Sequence, residues 1–215
     1  MNIITIYANN LKEVFKDNKK IILSCFAIFI IVTILAYSYG STQLDPKTDS
    51  YSNIKKPEIE SKLSDTLFFI MGNNIKMVLL NYMGGIFFGI ISIVTLISSS
   101  ITLGLHAAMY GFTHPYGIYR YIAHIIPHGI FELTAAILSS ASGLILFKFI
   151  FKLLNGLRHN EKKGIKQKLT KSYQENKHIL IQSLVLLIFC IILVIIAAPI
   201  ETYISEPFSK FIVRY

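Results

Sequence analysis

Long apolar runs that alternate with short polar segments constrain this chain more than any other feature. The first run, Ile21–Tyr39, is long enough to cross the hydrocarbon core of a bilayer as a helix. Comparable runs recur down to the last one, Ile179–Ala198. Of the 215 residues, 53% are hydrophobic and only 15% are charged, whereas soluble domains carry about 25% charged residues. The sequence therefore predicts an integral membrane protein of the all-α class.

The apolar runs predict about five transmembrane helices within a single integral membrane domain that covers residues 1–215. We place these spans at about 21–39, 77–97, 99–113, 127–152 and 179–198. Ser98–Ser100 interrupts an apolar run, and the span after it is short, because residues 98–113 reach only about 24 Å as a helix. The third span is therefore either a thin crossing or a re-entrant element.

Polar segments between the spans predict interfacial helices. Lys56-Pro57-Glu58 is typical of a helix start, and the apolar stripe after it predicts an amphipathic helix on the membrane surface that ends near Gly72–Asn74. The basic segment 155–178 predicts either a second such helix on anionic headgroups or a solvated charged loop. Pro127 is expected at or near the start of the fourth span.

The distribution of positive charge predicts the orientation of the chain. Lys and Arg are concentrated before the first span and in residues 155–178, and cytoplasmic loops of membrane proteins carry an excess of these residues. Five crossings would place both segments and the N-terminus in the cytoplasm, and the C-terminus outside the cell membrane. In a soluble protein the net charge of +9 would point to nucleic acid. Here the charge flanks apolar runs, so no nucleic-acid partner is expected.

Ionisable side chains recur at every fourth residue near the start of the fourth span: Arg120, His124, His128 and Glu132. Four-residue spacing stacks side chains along one face of a helix. An ionisable residue inside a span is costly unless it is paired, which makes it a functional-site hypothesis. With Pro127 starting the span, Arg120 and His124 would line its outer approach. The predicted intramembrane site, in the outer half of the membrane, comprises His106, His128, Glu132, Asn73 and Asn74.

Three interpretations of this site stay open. Glu132 could pair with His106 or His128 in a structural role, or these groups could form a proton or ion path in a transporter or channel. The third interpretation is a metal site, because His128 and Glu132 share a face and His106 could supply a third ligand. The sequence contains no HExxH pair, nucleophile elbow or phosphate-binding loop. We therefore expect no enzyme and no cofactor.

Glycines are predicted to let helices pack closely. Gly84, Gly85 and Gly89 form a GGxxxG arrangement in the second span, and Gly104 and Gly143 follow in later spans. Small residues allow close approach in lipid, where no hydrophobic force drives helices together. The same glycines could support a homo-oligomer or contacts within one subunit.

The segment Ile126–Ala135, IPHGIFELTA, resembles the PHGxxELxA signature of the stage II sporulation protein M family (DUF95), a group of integral membrane proteins. Asn73–Asn74 resembles the asparagine pair before that family's second span, and Ser99–Ser100 stands where the family often has Asn-Gly. Further matches to the family pattern are Gly84, Gly89, Gly104, Ala141 and Gly143. The resemblance covers roughly residues 60–150 and implies a multi-span membrane protein. The family's namesake anchors the cell-wall hydrolase complex of engulfment and is not itself known as a hydrolase.

The favoured function is therefore a noncatalytic membrane scaffold or anchor similar to this family, which organises membrane or envelope partners within the lipid bilayer. The alternative is a membrane transporter or channel component that uses the intramembrane Glu/His site. An intramembrane metal-dependent hydrolase, with His106, His128 and Glu132 as candidate ligands, is the third alternative.

The predicted topology can be tested with single cysteines. In a variant whose Cys25 and Cys190 are replaced by Ala, Lys163→Cys should react with a membrane-impermeant maleimide only after the membrane is permeabilised. Thr48→Cys, in the first loop, is the matched control and should react in intact cells. Labelling of position 163 in intact cells would contradict the orientation.

Overall fold

The computed structural model describes residues 3–43, 63–113, 117–158 and 164–212, and these residues form helices and turns without a strand. The helices are α1 (Ile3–Asp17), α2 (Lys19–Gln43), α3 (Leu63–Met83), α4 (Ile90–Thr113), α5 (Gly117–Arg158), α6 (Ile165–Ile200) and α7 (Glu206–Ile212). A single π-helical turn, Glu201–Ser205, joins α6 to α7. The predicted all-α class is confirmed.

Helix α5 forms the centre of the bundle and contacts α2, α3, α4, α6 and α7. Its middle carries small side chains from Ser139 to Gly143, and all of these residues are buried. Small residues let neighbouring backbones come close inside a membrane protein. Accordingly, Ser142 Oγ reaches the neighbouring helix and donates a hydrogen bond to the backbone oxygen of Ser183 in α6, at 2.8 Å.

Helices α2 and α4 pack side by side and run in the same direction. Gly104 lies against Ala36, and Gly40 lies against Ala108, so residue numbers rise together along the two helices. Each helix thus places two small residues four positions apart at the contact, an arrangement that favours close packing in lipid. Because α2 and α4 are parallel, the chain must reverse its direction after α2 and again before α4. Helix α3, which lies between them in the sequence, runs in the opposite direction to both.

The structure corrects the predicted span 77–97, because no continuous helix covers these residues. Helix α3 ends at Met83 and α4 begins at Ile90, with a turn between them. Gly89 in this turn has a φ of +72°, a backbone conformation that glycine adopts at little cost. The apolar run therefore continues across a point where the helix is broken.

The α3–α4 turn is held against α5 by glycine contacts. A Cβ atom on Gly85 would collide with the backbone of Gly143, and one on Gly143 would collide with Asn81 O and Ser92 Oγ. Ser92 Oγ also donates a hydrogen bond to Asn81 O at 2.6 Å, which closes the turn. These glycines were predicted to pack a continuous transmembrane helix. Within this subunit, they instead allow the α3–α4 turn to lie directly against α5.

Two further helix limits differ from the prediction. Helix α3 continues through Gly72–Asn74, where the surface helix was expected to end; the expected start of that helix at Pro57 lies outside the described residues. Helix α4 also continues through Ser98–Ser100, where Ser100 Oγ donates a hydrogen bond to Leu96 O at 2.7 Å. A serine hydroxyl satisfied by the preceding turn does not have to interrupt a helix.

The expected helix start at Pro127 is also wrong, because α5 begins at Gly117 and contains Pro127. Neighbouring helices and side chains in a membrane bundle can satisfy the backbone groups that a proline frees. In the basic segment, α5 ends at Arg158 and α6 begins at Ile165. The described residues 165–178 are helical, but they form the first part of α6, which continues through the predicted last span 179–198 instead of forming a separate surface helix. Their contact with headgroups stays a prediction.

Helix α1 packs on α6, where the Tyr7 hydroxyl donates a hydrogen bond to Val185 O at 3.0 Å. Asn18, between α1 and α2, donates through Nδ2 to Gln182 Oε1 at 3.0 Å. Lys148 Nζ donates in turn to Asn18 Oδ1 at 3.3 Å. These bonds fasten α1 and the start of α2 to the middle of α6 and to the second half of α5.

Four helical stretches of the described chain are long and apolar enough to cross a membrane: Lys19–Gln43, Ile90–Gly111, Gly117–Arg158 and Ile165–Ile212. The sequence predicted about five. The additional long helix, α3, has 21 residues. It lies between α2 and α4 in chain order and packs against α5 and α6. Its crossing of the membrane stays a prediction.

The contact between the α3–α4 turn and Gly143 leads to a prediction about stability. Gly143→Ala should lower the free energy of unfolding by about 1–3 kcal/mol, the usual cost of overpacking a tight contact, because the added Cβ meets backbone on the facing segment. Unfolding of the purified protein in detergent measures this change. Gly72→Ala is the matched control, since its Cβ would meet nothing within 4 Å. Equal stability of both variants would contradict the proposed role of Gly143.

Candidate functional site

A cavity of about 440 Å³ lies between α3, α4 and α5. Two rows of polar side chains line the cavity. On α4, the row consists of Ser98, Thr102 and His106, which are spaced four residues apart. On α3, it consists of Asn74 and Asn81, which lie two helical turns apart. Both spacings place side chains on one face of a helix. A concave site with a few convergent polar groups, inside an otherwise apolar bundle, is typical of a binding site.

The bundle brings all five residues of the predicted intramembrane site to this one cavity. The residues that line it are His106, His128, Glu132, Asn73 and Asn74. They come from three helices, and the α3–α4 turn allows the two shorter helices to face α5 together. That these residues act as a functional site stays a prediction.

His128 and Glu132 form a close pair on α5. His128 Nε2 lies 3.8 Å from Glu132 Oε2, and His128 is only 6% exposed. On the other edge of the ring, Nδ1 lies 2.7 Å from the hydroxyl of Ser205 in the π-helical turn. The imidazole is therefore fixed between a carboxylate of its own helix and the segment that follows α6.

Glu201, which was not among the residues predicted from the sequence, joins this pair. His128, Glu132 and Glu201 each offer one ligand atom, and these atoms all lie within 4.8 Å of one another. Glu201 begins the π-helical turn just after Pro199, and π-helical turns occur often at functional sites. An acid directly behind the last apolar run and close to a proline was the only signal that the sequence offered.

His106 lies on the cavity wall but does not belong to this three-residue cluster. The sequence suggested His106, His128 and Glu132 as candidate metal ligands. The structure instead brings Glu201 to His128 and Glu132, because the π-helical turn packs against α5. The candidate ligand set is corrected accordingly.

Arg120 and His124 lie on the same continuous helix as His128 and Glu132, since α5 begins at Gly117. The ring of His124 contacts that of His128, with centroids 5.7 Å apart, whereas the side chain of Arg120 is exposed. Arg120, His124, His128 and Glu132 therefore lie along one face of a single continuous helix. The assignment of Arg120 and His124 to an outer approach stays a prediction.

Two buried polar atoms at the cavity have no hydrogen-bond partner within the part of the chain that the structure describes. They are Asn74 Nδ2 and Asn81 Oδ1. Asn81 is only 1% exposed, and its Nδ2 donates a hydrogen bond to Ser139 Oγ at 2.9 Å. Buried polar atoms are normally paired with protein or water. The cavity is therefore suited to water or a polar ligand.

Comparison with known proteins finds similarity along most of the chain. The family model described as stage II sporulation protein M matches residues 22–206. One uncharacterized protein of Methanocaldococcus jannaschii is 27% identical over 186 residues, which cover 85% of this chain and 97% of the relative. Another uncharacterized protein of the same organism is 30% identical over 217 residues, covering 94% of this chain and 90% of the relative. No solved structure matches the chain.

Proposed function

Because the chain belongs to the stage II sporulation protein M family, we propose that it is a noncatalytic multi-span scaffold that organises other proteins in the membrane or the cell envelope. The close packing at the inner end of the cavity carries this proposal. Asn81 and Ala136 line that end, and next to them the α3–α4 turn lies directly on Gly143. Such packing holds the helices in fixed positions, as a scaffold requires.

The outer face of α2 offers a surface on which partners could bind. Leu23, Ile31 and Leu35 on this helix are all more than half exposed, at 65%, 57% and 63%. In a bilayer, such a face contacts lipid tails or the helices of other proteins. The proposed partners are the lipid bilayer itself, other membrane or envelope proteins, and a second copy of this chain.

The proposed orientation places the N-terminus in the cytoplasm and the C-terminus outside the cell, with five crossings. The helix directions support this arrangement. Helices α2 and α4 are parallel, and α3, which connects them in the sequence, runs in the opposite direction. The chain therefore reverses its direction at each successive long helix. The basic start of α6 then lies on the same side as the basic residues that precede α2, which agrees with the excess of positive charge in cytoplasmic segments.

The scaffold proposal predicts specific protein contacts at the exposed face of α2. A photoreactive amino acid at Leu35 should form discrete crosslinks to the same few proteins, or to a second copy of the chain, in native membranes. The matched control is Phe29, which is on the same helix but only 5% exposed, and it should crosslink only within the chain. Mass spectrometry identifies the adducts, and lipid adducts alone at Leu35 would contradict the proposal.

A transporter or channel component is the second candidate, and the unpartnered atoms Asn74 Nδ2 and Asn81 Oδ1 at the cavity favour it. Polar groups in a membrane interior line the paths of ions and protons. Glu132, on the cavity wall, would be the ionisable group on such a path. Its carboxylate would bind the transported cation or proton part of the way across the membrane.

Purified protein in liposomes tests this second candidate. A transporter predicts a pH-dependent cation or proton flux that Glu132→Gln reduces at least tenfold. Glu175→Gln makes the same chemical change at an exposed glutamate that pairs with Lys171 and should leave the flux unchanged. No flux above that of empty liposomes would exclude this candidate under the tested gradients and leave the scaffold proposal standing.

A further inference from the structure

The cluster of His128, Glu132 and Glu201 joins two parts of the chain that are far apart in sequence. Helix α5 supplies His128 and Glu132 on adjacent turns, and the π-helical turn supplies Glu201. The three candidate ligand atoms lie within 4.8 Å of one another. One imidazole nitrogen and two carboxylates therefore meet beside the cavity, since His128 and Glu132 also line its wall.

Ser205 fixes the orientation of the His128 ring. Its Oγ lies 2.7 Å from His128 Nδ1 and within hydrogen-bond distance of Ile200 O, at 3.2 Å. In the tautomer in which Nδ1 donates to this hydroxyl, Nε2 presents a lone pair to Glu132. A histidine that binds a metal is usually held in this way, with its other ring nitrogen donating to a neighbouring group.

The separation of His128 and Glu132 is longer than a hydrogen bond, and the three ligand atoms together lie somewhat farther apart, within 4.8 Å, than they would around a bound metal ion. The 3.8 Å between His128 Nε2 and Glu132 Oε2 exceeds the length of a hydrogen bond, about 2.7–3.2 Å. Bonds of about 2.0–2.2 Å to a tetrahedral metal place neighbouring ligand atoms roughly 3.3–3.6 Å apart. Small side-chain movements would therefore bring the three atoms to a common ion.

Glu201 supplies an independent sign that a cation belongs here. Its Oε2 atom is buried and has no hydrogen-bond partner among the described residues. An unpaired buried carboxylate oxygen is costly in the interior of a helix bundle, and the neighbouring Glu132 makes the site more negative. A divalent cation balances the charge of both carboxylates, while the neutral imidazole adds a third bond.

We propose that His128, Glu132 and Glu201 bind one divalent first-row transition metal ion, of which Zn²⁺ is the best fit. Imidazole and carboxylate together suit zinc and its neighbours, and a tetrahedral ion keeps a fourth position for a solvent molecule from the cavity. This site extends beyond the scaffold function and does not depend on it. It also differs from the ligand set that the sequence suggested, because Glu201 replaces His106.

Metal titration of the full-length protein in detergent tests the site. After treatment with a chelator, Co²⁺ should bind at one ion per chain and produce the intense visible absorption of a tetrahedral site, and added Zn²⁺ should remove this absorption. Elemental analysis after dialysis should find one zinc per chain. Absence of both signals in the wild-type protein would overturn the proposal.

Two variants assign the ligands. Glu201→Gln should weaken Co²⁺ binding at least tenfold, whereas His106→Gln, a change on the same cavity wall outside the cluster, should leave it unchanged. Zn²⁺ should raise the Tm of the wild type and of His106→Gln, but not that of Glu201→Gln. Equal Co²⁺ affinity in Glu201→Gln and the wild type would overturn the proposal. So would loss of binding in His106→Gln alone.

A second substitution distinguishes the loss of a metal ligand from a folding defect in Glu201→Gln. Glu201→Asp keeps the charge but withdraws the carboxylate by one methylene, so it should bind Co²⁺ more weakly than wild type while eluting like it in size-exclusion chromatography. Wild-type affinity in a well-folded Glu201→Asp variant would count against Glu201 as a ligand and overturn the proposal.

Discussion

The close approach of backbones at Gly143 is the contact on which the rest of this bundle depends. In lipid, helices gain nothing from burying apolar surface against one another, so van der Waals packing and hydrogen bonds must hold them together. A side chain at Gly143 would meet Asn81 O and Ser92 Oγ, and the neighbouring Ser142 donates a hydrogen bond to Ser183 O. One short segment of α5 thus binds the α3–α4 turn on one side and α6 on the other.

The cavity follows from this contact. Because the α3–α4 turn is fixed on the middle of α5, both of its helices lead away from that point along the same stretch of α5. Asn81, next to the turn, donates to Ser139 Oγ at 2.9 Å and so forms a polar inner end for the cavity. The rows of polar side chains on α3 and α4 then face His128 and Glu132 across the cavity.

The sequence predicted the helical class and the family, and it singled out five of the residues that line the cavity, because apolar runs, short motifs and helical spacing are local properties. It failed at helix limits that tertiary contacts determine. The break before Ile90 lies within an apolar run and depends on glycines that meet α5, and Pro127 lies inside a helix whose neighbours surround it. Glu201 was missed because its nearness to Glu132 depends on how α6 and the π-helical turn pack against α5, which no local pattern reveals.

The packing of the bundle brings the two carboxylates of Glu132 and Glu201 close to His128, and their charges must be balanced. A protonated His128 would carry one positive charge, which could balance one carboxylate but not both Glu132 and Glu201. The hydrogen bond to Ser205 holds the ring with Nε2 towards these carboxylates, and the burial of Glu201 Oε2 keeps bulk water from stabilising the remaining charge. Uptake of a second proton or binding of a cation would balance this charge. The proposed cation, bound between the two groups, would also agree with the 3.8 Å that separates His128 Nε2 from Glu132 Oε2.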